Sequence, residues 1–207
     1  GLGDVYKRQC YNLSKGGNSM NKIELREKCR EIINGTPPER FVEWGEKISA
    51  FVLASNEWKN AETVFVFASM GNEPDTKLLI LNAMKEGKRL CVPRITGDGT
   101  MEAVEIKNFS ALKTGKFGIP EPVDGCNAVE KSEIDLILLP CLAADEGGNR
   151  LGKGGGFYDR FCEGTDCGKI IICPELFLMK QGEIPTEEHD IAADNVATEK
   201  KFIRVRR

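Results

Sequence analysis

Apolar and charged residues recur at helical spacing from Lys22 to Ile33, and Gly35, Pro37 and Pro38 close the pattern, which predicts a first helix. A second is predicted from Pro38, because proline suits a first helical turn and Phe41, Trp44, Ile48, Phe51 and Val52 then share one face. The pattern changes at Thr63. Thr63 to Ala68 is a β-branched and aromatic run, a helix-like stretch covers Asp75 to Lys85, and Leu90 to Val92 is strand-like again. Thr96 to Cys126 is rich in Gly and Pro with short alternating pieces such as Met101 to Ile106, the pattern of a hairpin and loops. Ile134 to Leu139 is continuously apolar apart from Asp135, and Ile170 to Cys173 is of the same kind; such runs suit central strands covered on both faces.

Strands alternating with helices predict an α/β fold: a three-layer α/β/α arrangement around a mainly parallel, Rossmann-like sheet, with its ligand site beyond the carboxyl ends of the strands. A chain of 207 residues can bury a core without metal or disulfide staples, and residues 20–207 are expected to form one domain. Residues 1–19 are glycine-rich and polar, with neither the apolar stretch of a signal peptide nor the arginine-rich pattern of a transit peptide. With Met20 directly ahead of the first helix, they are expected to be an appended, disordered segment that the fold does not need.

Composition narrows the function. No apolar run approaches the ~18 residues of a membrane span. The net charge of −3 and the scattering of basic residues among acids give no footprint for nucleic acid, so any bound anion must be gripped locally. Eight cysteines in a chain this long, two of them (Cys91 and Cys173) in strand-like runs and none at a C-x-x-C spacing, read as reduced thiols of a cytoplasmic protein. Cys162 with Cys167 is the nearest approach to a metal cluster, and His189 is the single histidine, which argues against zinc.

The chemistry concentrates between Asp145 and Phe161. Gly152, Gly154, Gly155 and Gly156 let the backbone turn its N–H groups toward an anion, a helix follows, and Arg150 and Lys153 add full charges. Gly147 to Lys153 fits G-x-x-x-x-G-K, but Gly154 stands where a P-loop needs a hydroxyl; the dinucleotide pattern fails at Phe157. A phosphate cradle and a plain tight loop both remain open on these residues alone.

Arg150 to Arg160, read as R-L-G-x-G-x-G-[FY]-Y-D-R behind Leu138-Leu139-Pro140, resembles the signature of the 5-formyltetrahydrofolate cyclo-ligase family. Further landmarks follow in family order: Lys22 and Arg26 as K-x-x-x-R, Glu73 and Thr76 as E-x-x-T, Gly118 to Pro122, Ile184-Pro185 through Asp190, then Asp194 and Thr198-Glu199. The resemblance implies a scaffold of the sugar isomerase and CoA transferase type, and a monomeric enzyme that uses ATP and magnesium to convert 5-formyltetrahydrofolate to 5,10-methenyltetrahydrofolate.

Carried over by position, it implies that Lys22 and Arg26 contact the ATP phosphates and that Arg150, Leu151, Gly152, Lys153, Gly154, Gly155, Gly156, Phe157 and Tyr158 wrap the nucleotide. Ala68, Glu73 and Phe117, with Lys153 to Phe157, would contact the folate; Asp159 and Asp190 would hold magnesium. No protein nucleophile is implied. The chain departs from the family at Gly155, where a lysine is common, and at Met179, where a glutamine is expected. A folate- or nucleotide-binding relative without turnover, and an isomerase or transferase on the same scaffold, are the alternatives.

Overall fold

The structure, a computed structural model, describes residues 20–115 and 120–206; the expectations for residues 1–19 and for Phe117 lie outside them. Helix α1 (Lys22–Asn34) starts where Asn21 accepts the N–H groups of Ile23 and Glu24 while Glu24 accepts that of Asn21, a reciprocal cap. It buries Leu25, Cys29 and Ile33, one stripe at helical spacing. Helix α2 (Pro38–Ala54) buries Phe41, Trp44, Ile48 and Val52, with Phe51 only half-buried, and α3 (Asn56–Asn60) follows.

The central sheet then begins with β1 (Thr63–Phe65), α4 (Lys77–Lys85), β2 (Arg89–Gly97) and its hairpin partner β3 (Thr100–Glu105). A small two-stranded sheet, β4 (Leu112–Thr114) and β5 (Pro120–Pro122), precedes the edge strand β6 (Ala128–Val129). After β7 (Leu136–Pro140) come β8 (Ala143–Asp145) and β9 (Arg150–Leu151), then α5 (Phe157–Cys162), β10 (Gly168–Ile172), β11 (Leu178–Met179), β12 (Asn195–Ala197) and β13 (Phe202–Arg204).

Eight strands pair in the order β13-β12-β10-β7-β1-β2-β3-β6. The inner pairs are parallel, and the two ends, β12 with β13 and β2 with β3 and β6, are antiparallel. Successive residues of a strand point to opposite faces, so the unbroken burial of Leu136 to Leu139 and of Lys169 to Ile172 means that both faces of the sheet are covered. The chain runs from β1 to β2 on one side and later to β7 on the other. That reversal leaves a crevice at the carboxyl ends of β1 and β7, where an open α/β sheet binds its ligand.

Helix α2 approaches the turn after β1 closely. Gly45 lies against residue 75, whose N–H donates to the Phe41 carbonyl at 3.1 Å, and a Cβ at Gly45 would collide with the Asp75 backbone. Thr76 locks the same turn: its hydroxyl donates to the Phe67 carbonyl at 2.6 Å and accepts the Ser69 N–H at 3.1 Å. Replacing Gly45 by Ala should therefore cost about 1–3 kcal/mol, or several degrees of melting temperature. Gly71→Ala, whose added Cβ meets nothing within 4 Å, should leave thermal melting unchanged. Equal melting of the two variants would contradict the close packing of α2 on this turn.

Candidate active site

The crevice opens as a cavity of about 300 Å³. Phe67 and Ala68 beyond β1, Pro93 and Ile95 in the second half of β2, and Pro140 and Cys141 at the end of β7 form much of its wall. Met70 and Glu73 reach it from the turn that Thr76 locks, and the glycine loop supplies Gly152, Lys153, Gly155, Gly156, Phe157 and Tyr158.

That loop is held from behind by its carbonyls. Arg26 on α1 donates to the Gly152 carbonyl at 3.0 Å, Arg30 to that of Lys153 at 3.3 Å, and Arg160 to that of Gly155. Among the described residues, no acceptor takes the N–H groups of Lys153, Gly154, Gly155 or Gly156. Gly154 and Gly156 have φ of 106° and 65°, backbone that side chains with a Cβ rarely adopt. Carbonyls tied back and amides left free make a concave, positively polarised surface. The sequence predicted a helix behind this loop, but α5 has only six residues, so its dipole adds little and the loop amides carry the polarity.

Arg150 organises the surroundings. Its guanidinium, 4% exposed, donates to Asp159 Oδ1 at 2.9 Å and to the Ile191 carbonyl at 2.9 Å, while the Ile191 N–H donates back to Asp159 Oδ1 at 3.2 Å. Asp190 directly precedes the residue held in this ring. Its Oδ2 accepts the Lys22 ammonium at 2.6 Å and the Glu187 N–H at 2.7 Å, and Glu187 itself lies 3.1 Å from Lys22. Burial alone would lower the Lys22 pKa, but hydrogen bonds to Asp190 and Glu187 outweigh it and hold the ammonium above its ordinary value. Burial likewise pushes Asp190 up, and the bond from Lys22 outweighs it and holds the carboxyl below its usual range. Burial, and next the Glu73 carboxylate, push the Tyr158 hydroxyl up, so it stays protonated.

Arg26, Glu73 and Asp159 thus meet the glycine loop or its flanking Arg150, Ala68 lines the same cavity, and Lys22 pairs with Asp190, the neighbour of Ile191. Lys153 reaches across the cavity to Glu73 Oε1 at 2.5 Å. Leu151 departs from expectation: its side chain is in the core and its carbonyl accepts the Leu142 N–H at 2.8 Å, so it supports the loop from below. At Gly155 an added Cβ would lie 2.7 Å from the Phe157 ring, which folds over the place where the family's lysine would leave the backbone. Met179 is buried in β11.

Sequence reasoning missed Met70, Ile95, Met101, Glu121 and Cys141 in the wall. Only the alternation in the β2–β3 hairpin hinted at Ile95 and Met101. Burial pushes the Cys29 and Cys91 thiols up to about 12 and Cys162 up to about 11, so these cysteines stay as thiols. Among the described residues, one group of three potential metal ligands lies together: Glu187, His189 and Asp190.

The chain is similar to known proteins. The family model described as the 5-formyltetrahydrofolate cyclo-ligase family matches residues 18–199. The 5-formyltetrahydrofolate cyclo-ligase of Escherichia coli is 31% identical over 170 residues, covering 79% of this chain and 92% of its own. That of Mus musculus is 27% identical over 197 residues, covering 86% and 93%. The solution structure of a 5,10-methenyltetrahydrofolate synthetase from Aquifex aeolicus superposes with a TM-score of 0.79 at 29% identity, covering 91% of this chain and 94% of that one. With a family match across most of its length and the same fold, the chain belongs to the 5-formyltetrahydrofolate cyclo-ligase family.

Proposed function

We propose that this enzyme converts 5-formyltetrahydrofolate to 5,10-methenyltetrahydrofolate, with ATP becoming ADP and phosphate. The observation that carries the reading is the glycine loop, whose unpaired N–H groups lie between the cations of α1 and an apolar cavity. Phosphates fit the amides and the Lys22 and Arg26 side; a flat ring system fits the Phe67, Met70, Ile95 and Phe157 side. Ala68 and Glu73, at the boundary, are placed to meet the reacting part of the folate. Phe117, six residues beyond Ala111, is the expected cover for its aromatic ring.

An amide oxygen leaves poorly. The formyl oxygen therefore attacks the γ-phosphorus and ADP departs; N10 then attacks the activated carbon, loses its proton, and phosphate leaves with the C–O bond. The chain's part is to position both substrates and to stabilise phosphoryl charge with the loop amides and Lys22, Arg26 and Lys153. Apolar walls exclude the water that would hydrolyse the phosphorylated intermediate. No thiolate is called for, in keeping with cysteines that remain thiols.

Asp159 and Asp190 are the proposed magnesium ligands. Each carboxylate has one oxygen engaged, Asp159 Oδ1 by Arg150 and Ile191 and Asp190 Oδ2 by Lys22 and Glu187, which leaves the other for a hard cation that also takes phosphate oxygens. The ion would neutralise phosphate charge. Residues 20–207 acting as one domain, and a reducing, cytoplasmic setting for the seven unpaired cysteines of the described residues, complete the reading.

The purified protein should release ADP only when 5-formyltetrahydrofolate is present, and one methenyl product, followed by its absorbance, should form per ADP. ADP release without folate, or none with it, would contradict the reading. Lys22→Ala and Arg26→Ala should each raise the apparent ATP KM roughly tenfold or more, since charge-assisted hydrogen bonds contribute ~1.5–3 kcal/mol. Unchanged ATP kinetics in both would remove α1 from the site. Gly154→Val forces a branched residue into left-handed backbone and should abolish turnover while cooperative melting persists. A folded Val variant with normal turnover would sink the cradle.

A further inference from the structure

Three carboxylates line the cavity, and two of them are committed. Asp159 is held by Arg150 and the Ile191 N–H, and Glu73 by Lys153 and the Met70 N–H at 2.9 Å. Glu121 differs. Among the described residues nothing donates to its Oε1, which is sealed from water. Glu121 stands at the centre of β5 between Pro120 and Pro122, opposite Lys113 of β4, whose ammonium goes instead to Asp124 at 3.1 Å.

The side chain is fitted to this wall: a Cβ at Gly115 would collide with Glu121 Oε2 and Cδ, so the absence of one there makes room for the carboxylate. A carboxylate oxygen held out of water without a donor is costly, and the cost is recovered if a ligand brings N–H groups. The neighbouring walls, Pro93, Ile95, Met101 and Phe157, offer none.

We propose that Glu121 is a specificity-determining residue that accepts the N3–H and 2-amino donors of the substrate's pterin ring, an inference that rests on the cyclo-ligase reading above. The pterin edge presents two parallel N–H donors, which match the two oxygens of one carboxylate. Adenine offers a 6-amino donor beside the N1 acceptor, and an acceptor facing a carboxylate is repelled. The choice therefore falls on folate over nucleotide. Glu121 lines the cavity, and the prolines on either side restrict its backbone.

Isothermal titration of the wild type and of Glu121→Gln with 5-formyltetrahydrofolate, its 2-desamino-2-methyl analogue and ATP tests this. Gln keeps the shape but puts an N–H where the pterin also has one. Folate affinity should fall roughly tenfold or more, with ATP affinity unchanged. The analogue, which keeps N3–H but lacks the 2-amino group, should bind the wild type more weakly than the parent and lose less on the substitution. The melting temperature should stay level or rise, because an unpaired carboxylate is lost. Unchanged folate affinity in Glu121→Gln, an equal loss for ATP, or an equal loss for the analogue would overturn the assignment. A wild type that binds ATP but no folate would overturn the cyclo-ligase reading itself, and this inference with it.

Discussion

The site depends on one buried cation. Arg150 ends a two-stranded turn at β9, yet its guanidinium binds the helix that follows the glycine loop, through Asp159, and a segment 41 residues downstream, through the Ile191 carbonyl. With the Ile191 N–H returning to Asp159, three segments close into one ring of hydrogen bonds. A charge this far from water is tolerable only when its partners are all in place, and removing one leaves the others stranded. The loop between Arg150 and Asp159 is thus fixed at both ends while its middle stays open to a ligand.

The same economy of charge runs through the whole site. Lys22 is matched by Asp190 and Glu187, Lys153 by Glu73, and Arg150 by Asp159, so the cations that would meet phosphate already face carboxylates. Lys22 stays protonated and Asp190 ionised because each stabilises the charge of the other. On the proposed reading, nucleotide binding would exchange partners instead of exposing new charge: phosphate would take the ammonium groups and Asp159 and Asp190 would be left to hold magnesium. Lys153 couples the halves of the cavity, since it leaves the glycine loop and ends on Glu73, a residue of the proposed folate wall.

Long periodic elements were readable from the sequence, and short ones were not. The reciprocal cap and apolar stripe of α1, and the unbroken apolar runs of β7 and β10, have local causes that a reader of residues can follow. The three-stranded piece β11-β8-β9 has strands of two or three residues, too short for a period, and its role under the loop emerges only from pairing. The glycine loop was recognisable by composition, but the helix expected to add to its polarity proves to be a turn and a half long. Lys22 and Asp190 lie 168 residues apart, and no pattern of spacing joins them; the ordered family landmarks did. Glu121 lay inside the Gly118 to Pro122 landmark, but no local spacing shows that it lines the cavity.

The central claim is that the glycine loop, the start of α1 and the Glu187 to Asp190 segment form one nucleotide site. Amide hydrogen exchange read by mass spectrometry, with and without ATP and magnesium, measures it directly, because the loop N–H groups are unpaired in the free protein and would be bound in the complex. ATP with magnesium should slow exchange in residues 152–158 and 187–191 together, with no change at the β12–β13 edge. Exchange in the glycine loop that ignores ATP, or protection confined to the sheet edge, would contradict the account.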